Sequence, residues 1–159
     1  IGELAVRGPS VFRGYWERPE ETAKSLRQGW LVTGDLACKD EDGYIYLRGR
    51  KRDMIKSGGI SVYPAEVEPV IRSHPKVAEV AVVGLPDPEW GEKVVACVVA
   101  SEACSEAEVI DWCQGKLAPY KRPKSVIFFE ALPVSDVGKI VKKEIVKLLL
   151  EKASGNFSA

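Results

Sequence analysis

Apolar and polar residues follow two different patterns along this chain, and the change falls near residue 52. Before it, apolar runs are short and bounded by turn formers. Glu3-Leu4-Ala5-Val6-Arg7 is broken by Gly8-Pro9, and Trp30-Leu31-Val32-Thr33 and Tyr44-Ile45-Tyr46-Leu47 are aromatic or β-branched, as strands require. Asp42-Gly43, between Leu36-Ala37-Cys38 and the second aromatic run, predicts a hairpin turn. Pro19 followed by Glu20-Glu21-Thr22 predicts one short helix through Leu26, with its acidic residues at the favourable end.

After residue 52, longer periodic segments appear. Pro64 opens a predicted helix with Glu66 and Glu68 near its start and Val67, Val70 and Ile71 on its apolar face; Ser73-His74-Pro75 ends it. Pro69 conflicts with that helix, because it removes a backbone donor and is expected to kink or shorten it. Val77–Gly84, Lys93–Ala100 and Ser125–Glu130 read as strands. Ser105 and Glu108 form a capping box for a helix through Leu117, and Lys142–Lys152 places Ile145, Leu148 and Leu149 on one face of a terminal helix. The expected fold is α+β: a small N-terminal β segment (1–51), then a compact α/β domain (52–153) with a three-stranded core sheet and packed helices. A flexible tail is expected at 154–159.

Composition narrows the function. The 159 residues allow one domain, or one domain with part of another. Lys plus Arg and Asp plus Glu both total 23, so the zero net charge gives no support to a nucleic-acid partner. Local clusters of Lys and Arg at 48–56, 116–124 and 139–147 read first as solvated surface. Cys38, Cys97, Cys104 and Cys113 show no C-x-x-C spacing and His74 is the single histidine, so no zinc set forms; no metal site is expected. Cys97 and Cys113 read as buried free thiols, and the lack of a disulfide framework favours a cytoplasmic location. No apolar run approaches the roughly 20 residues that span a bilayer, so no integral membrane segment is expected.

Three stretches place charges beside glycines, where a backbone can turn tightly and come close to a ligand: Gly29-Trp30-Leu31-Val32-Thr33-Gly34-Asp35, Gly49-Arg50-Lys51-Arg52-Asp53-Met54-Ile55-Lys56-Ser57-Gly58-Gly59, and Val134-Ser135-Asp136-Val137-Gly138-Lys139-Ile140. Taken singly, each has an ordinary reading. Asp35, at a strand end beside Gly34, is a turn aspartate or an acceptor for a vicinal diol. Arg50 is a surface ion-pair partner, Arg52 a linker residue, Gly58-Gly59 a β-turn, Lys56 a solvated charge and Lys139 a surface lysine able to reach phosphate or carboxylate oxygens.

The order and spacing of these stretches resemble the C-terminal part of the adenylate-forming enzymes: acyl-CoA ligases, beetle luciferases and peptide-synthetase adenylation domains. The resemblance covers nearly the whole chain and implies a fragment. It makes Asp35 and Arg50 ribose contacts of ATP or AMP, and Arg52 the hinge of a mobile C-terminal lid, with Asp53 the alternative in register. It also makes Lys56 a contact of the adenylate during thioester formation, and Gly59, then Gly58, the lining of the pantetheine tunnel of CoA. Lys139 becomes the catalytic lysine that bridges the substrate carboxylate and the phosphates. The family pattern Pro-x-Thr-x-x-Gly-Lys is kept at Pro133, Ser135, Gly138 and Lys139, with Asp136 as a departure. Lys121 and Arg122 are further candidates for the 3′-phosphate of CoA, while Trp90-Gly91-Glu92 and Phe12–Trp16 read as scaffold.

The resemblance further implies that the phosphate loop, the adenine segment, the acyl pocket and the Mg2+ site lie in a missing N-terminal domain of the same protein. The isolated chain is therefore expected to be inactive. The whole protein is expected to convert a fatty or aromatic acid and ATP to acyl-AMP and pyrophosphate, then pass the acyl group to CoA. The run from Asp53 to Glu68 looks closer to CoA ligases than to carrier-loading adenylation domains; those domains, a luciferase-type oxygenase and a non-catalytic module of the lid fold are the alternatives.

Overall fold

A computed structural model describes residues 1–155, and they divide into two compact units, Ile1–Arg52 and the residues from Asp53 onward. The first unit holds β1 (Gly2–Val6), α1 (Pro19–Ser25), β2 (Leu26–Arg27), β3 (Trp30–Lys39) and β4 (Ile45–Arg50). β3 is the centre of an antiparallel sheet, pairing with β1, β2 and β4.

Two strands expected from the sequence merge into the single β3. Gly34 sits inside it at φ 75°, a left-handed conformation that costs a glycine little, and the pairing slips beside it between Leu36 and Ala37. Asp35 consequently lies inside the strand and not at its end, which corrects the sequence expectation. The unit contributes few buried apolar residues, among the described residues only Leu36 and Ala37, whereas Tyr44, Ile45, Tyr46 and Leu47 are all at least half exposed.

The second unit runs β5 (Ile55–Ser57), β6 (Ile60–Val62), α2 (Pro64–Arg72), β7 (Val77–Asp87), β8 (Gly91–Ala100), α3 (Glu106–Trp112), β9 (Ser125–Phe128) and α4 (Lys142–Ala153). β7 and β8 form a long antiparallel hairpin, β9 joins β8 in parallel, and β5 joins it at Ser57–Gly91. The three expected core strands are thus extended to five by the β5–β6 hairpin.

Both faces of this sheet are covered, which is why β7 and β8 read as continuous apolar runs. Val80, Val82, Val94, Ala96 and Val98 pack with Val67 and Ile71 of α2 and Val109 of α3. The alternate positions Ala81, Val83, Val95 and Cys97 pack with Ile145 and Leu149 of α4.

Helix lengths differ from the sequence reading in instructive ways. α2 continues through Pro69 to Arg72, with Val67 and Ile71 fully buried. The proline removes one donor past the middle of the helix, and burial of the opposite face holds the element together. α3 stops at Trp112 and not at Leu117, since Cys113–Leu117 fold into turns with Gly115 at φ 73°. The capping box at its start is present, Ser105 and Glu108 each satisfying the other's backbone N–H. α4 ends at Ala153 with Ser154 as its cap; the remainder of the expected tail, residues 156–159, lies outside the described residues.

Candidate functional site

Candidate residues fall on each unit, in three local arrangements. On the first unit, Asp35 of β3 and Arg50 of β4 are register partners. Arg50 Nε meets Asp35 Oδ1 at 2.9 Å, and Arg50 Nη1 donates to the Thr33 carbonyl at 3.1 Å. Thr33 Oγ1 in turn accepts the Asp35 N–H and donates to the Leu4 carbonyl. The carboxylate meets Arg50 on one side, with Thr33 holding the Asp35 backbone N–H, and it remains partly exposed (27% for Asp35, 53% for Arg50). It borders an open cleft of about 730 Å³ lined also by Thr33, Gly34, Lys51 and Arg52. A carboxylate and a guanidinium side by side in an open cleft suit a diol that offers both donors and acceptors.

On the second unit, Ser57 pairs with Ile60 and only Gly58-Gly59 separate them. Both glycines are left-handed, at φ 58° and 79°, the pattern of a type I′ hairpin turn. The turn reading is thus correct, but the two glycines differ in surroundings. A Cβ on Gly58 would lie 3.1 Å from the Trp90 ring, whereas one on Gly59 would meet nothing within 4 Å. Gly59 therefore borders open space. Lys56, exposed on β5, is held through its backbone, whose N–H donates to Glu92 Oε2 at 2.6 Å.

The segment read as scaffold from the sequence supports this turn directly. Gly58 N–H donates to the Trp90 carbonyl at 2.8 Å, and Asp87 Oδ1 accepts the N–H of Trp90. Lys124 Nζ lies 4.3 Å from the centroid of the Trp90 ring. Trp90 and Glu92, read from the sequence as scaffold, thus contact the turn and its strand directly, whereas Lys124 was not singled out. Pro86-Asp87 before Trp90 was the available signal, since an aspartate of that kind folds the following residues back.

Lys139 stands apart, on the turn between β9 and α4. Gly138 N–H donates to the Ser135 carbonyl at 2.7 Å, Ser135 N–H to the Lys139 carbonyl at 2.8 Å, and Val134 bridges to Ile140. This is a small closed hairpin with an exposed lysine at its end, and Gly138 takes φ 73° to complete it. The hydroxyl at Ser135 has a defined task, accepting from the Lys139 N–H at 3.3 Å. Asp136 is exposed on the same turn.

Other candidates have partners or burial within the second unit. Lys121 is ion-paired to Glu66 of α2 at 2.6 Å, and Arg122 Nε donates to the Leu117 carbonyl. Cys97 and Cys113 are free and buried, and burial pushes the Cys97 thiol up to about 12. Among the described residues no three Asp, Glu, His or Cys side chains gather as a metal would require, and no helix is long and apolar enough to cross a membrane.

Residues 66–139 match the family described as the AMP-binding enzyme C-terminal domain. The match lies wholly within the second unit, from α2 to the turn that carries Lys139. The chain as a whole is similar to the C-terminal part of proteins named as acyl- and aryl-CoA ligases. It is 45% identical over 150 residues to the 2-succinylbenzoate–CoA ligase of Bacillus cereus (strain ATCC 10987 / NRS 248), covering 94% of this chain and 31% of that protein. It is 48% identical over 142 residues to the long-chain-fatty-acid–CoA ligase FadD13 of Mycobacterium tuberculosis (strain CDC 1551 / Oshkosh), covering 89% and 28% respectively. The structure of the Bacillus subtilis o-succinylbenzoate CoA synthetase with its acyl-adenylate intermediate superposes with a TM-score of 0.86 at 40% identity, over 91% of this chain and 30% of that one. ATP-bound MatB from Rhodopseudomonas palustris gives 0.83 at 41% identity, over 92% and 30%. The chain spans about a third of the length of these relatives.

Proposed function

We propose that this chain is the C-terminal part of an ATP-dependent carboxylic acid–CoA ligase that forms acyl-AMP and pyrophosphate, then transfers the acyl group to CoA. The observation that supports this most is the Asp35–Arg50 pair: two residues from separate glycine-flanked stretches stand opposite each other, held by Thr33, in an open cleft. Asp35 and Arg50 would receive the ribose of ATP and of the adenylate. Lys139, a cation carried on a closed turn, would offset charge developing on the α-phosphate as pyrophosphate leaves; a donor preorganised there contributes about 3–4 kcal/mol. In the second step Lys56 would approach the adenylate while CoA passes the open side of Gly59, and the thiolate displaces AMP from the acyl carbon.

The domain organisation is part of the same reading. The boundary between the compact units falls after Arg52, which supports Arg52 as the hinge. The exposed Tyr44–Leu47 run and the sparse core of residues 1–52 support their assignment to a larger N-terminal domain absent from this sequence. The described residues gather no carboxylate cluster for Mg2+, so the magnesium accompanying ATP is assigned to that larger domain, and no step is placed on it here. Fatty and aromatic acids are the proposed substrates because the relatives are named for a long-chain fatty acid and for 2-succinylbenzoate. The four free thiols suit the reducing cytoplasm, the proposed location.

ATP–pyrophosphate exchange by the full-length protein tests this reading, with fatty and aromatic acids as substrates. The expected result is acid-dependent exchange that falls on the order of 100- to 1000-fold in Lys139→Ala. Exchange that survives the substitution overturns the role of Lys139. No exchange with any acid overturns the enzyme reading.

A further inference from the structure

Resting on the functional reading above, we infer that Glu68 and Lys142 form a positioning pair that holds the Lys139 turn for adenylation. Lys142 is the first residue of α4, three positions beyond Lys139, and its Nζ meets Glu68 Oε1 of α2 at 2.7 Å. The same oxygen accepts the Val82 N–H of β7 at 2.8 Å. One carboxylate thus ties together a helix, the central sheet and the start of α4.

The start of α4 needs such a tie. Its cap residue Val141 offers no side-chain cap, and a lysine at the first helical position faces the positive end of the helix dipole. Both members of the pair are partly buried, at 23% and 20% exposure, so Lys142 is not simply solvated. Glu144 in the first turn of α4 faces the dipole favourably, and Glu68 supplies the charge that meets Lys142 itself. The position of Lys142 passes directly to the turn, because Val141 N–H donates to the Pro133 carbonyl at 2.9 Å and Val134 bridges to Ile140. These bonds make residues 133–141 one closed unit with its base at the α4 terminus and Lys139 at its far end. A shift at that base would displace the Lys139 ammonium from its phosphate, and a displacement near 1 Å lowers rates by up to about 100-fold.

The test separates the two half-reactions in the full-length protein. Glu68→Gln keeps an oxygen for the Val82 N–H but removes the charge facing Lys142. It is expected to lower kcat for ATP–pyrophosphate exchange on the order of 10- to 100-fold, while thioester formation from added acyl-adenylate and CoA stays within about twofold of the unaltered rate. Lys142→Met should behave alike, and the double variant should be no worse than either single one, because the lost interaction is shared. Lys142→Arg, which keeps the charge, should retain most exchange. Glu151→Gln, which breaks the exposed Lys147–Glu151 pair on the same helix, should change neither half-reaction. Undiminished exchange in Glu68→Gln, or equal loss in both half-reactions, overturns the inference and leaves the functional reading standing. An unaltered protein with no exchange overturns both.

Discussion

Asp35 Oδ1 and Arg50 Nε lie 2.9 Å apart, on register partners of β3 and β4. Their closeness means that Asp35 reaches a ligand only with Arg50 beside it. Charge-assisted hydrogen bonds of this kind contribute about 1.5–3 kcal/mol each. Asp35→Ala in the full-length protein is therefore expected to raise the KM for ATP about 10- to 100-fold. An ATP titration of exchange checks this, and an unchanged KM would show the pair to be structural alone.

Gly58 and Gly59 should respond differently to the same substitution. Both are left-handed, so alanine at either costs about 1–2 kcal/mol through the backbone. Gly58→Ala meets the Trp90 ring as well, so its Tm should fall further than that of Gly59→Ala. If Gly59 borders the CoA path, Gly59→Leu should slow thioester formation and leave exchange near normal. Equal Tm losses would contradict the packing argument; unaltered thioester formation would contradict the role.

The α3 cap carries a pH signature. The Lys76 ammonium first, then the Ser105 N–H and hydroxyl, hold Glu108 down at about 2, from an ordinary value of 4.5. The folded state thus binds the proton less readily than the unfolded chain. The stabilisation is complete above about 4.5 and is lost as pH falls towards and through 2. The stability gap between the unaltered protein and Glu108→Gln should therefore close over that window, as read by urea titration at several pH values. Ser105→Ala should cost about 1 kcal/mol at neutral pH.

Thiol reactivity should follow burial. Cys97, fully buried and pushed up to about 12, should resist a disulfide reagent at pH 8 until the protein unfolds, and Cys113 should behave alike. The less buried Cys38 and Cys104 should react first. Rapid labelling of Cys97 in the folded protein would place that face of the sheet in exchange with solvent.

Much of this molecule is written locally in its residues. The cap at Ser105 and Glu108, the apolar runs of β7 and β8, the one-sided pattern of α4 and the glycine flanks of Asp35, Lys56 and Lys139 are all short-range features, so the sequence determined them unaided. Other features depend on residues far along the chain, and only the tertiary structure decided them. The continuity of β3 through Gly34 depends on strands at both its edges, and the survival of α2 past Pro69 depends on burying Val67 and Ile71. The ion pairs Asp35–Arg50 and Glu68–Lys142 join separate elements. Trp90 was legible as a loop residue, but not as the wall above Gly58. Propensity acts over a few residues, whereas register, burial and ion pairing are settled when distant segments meet.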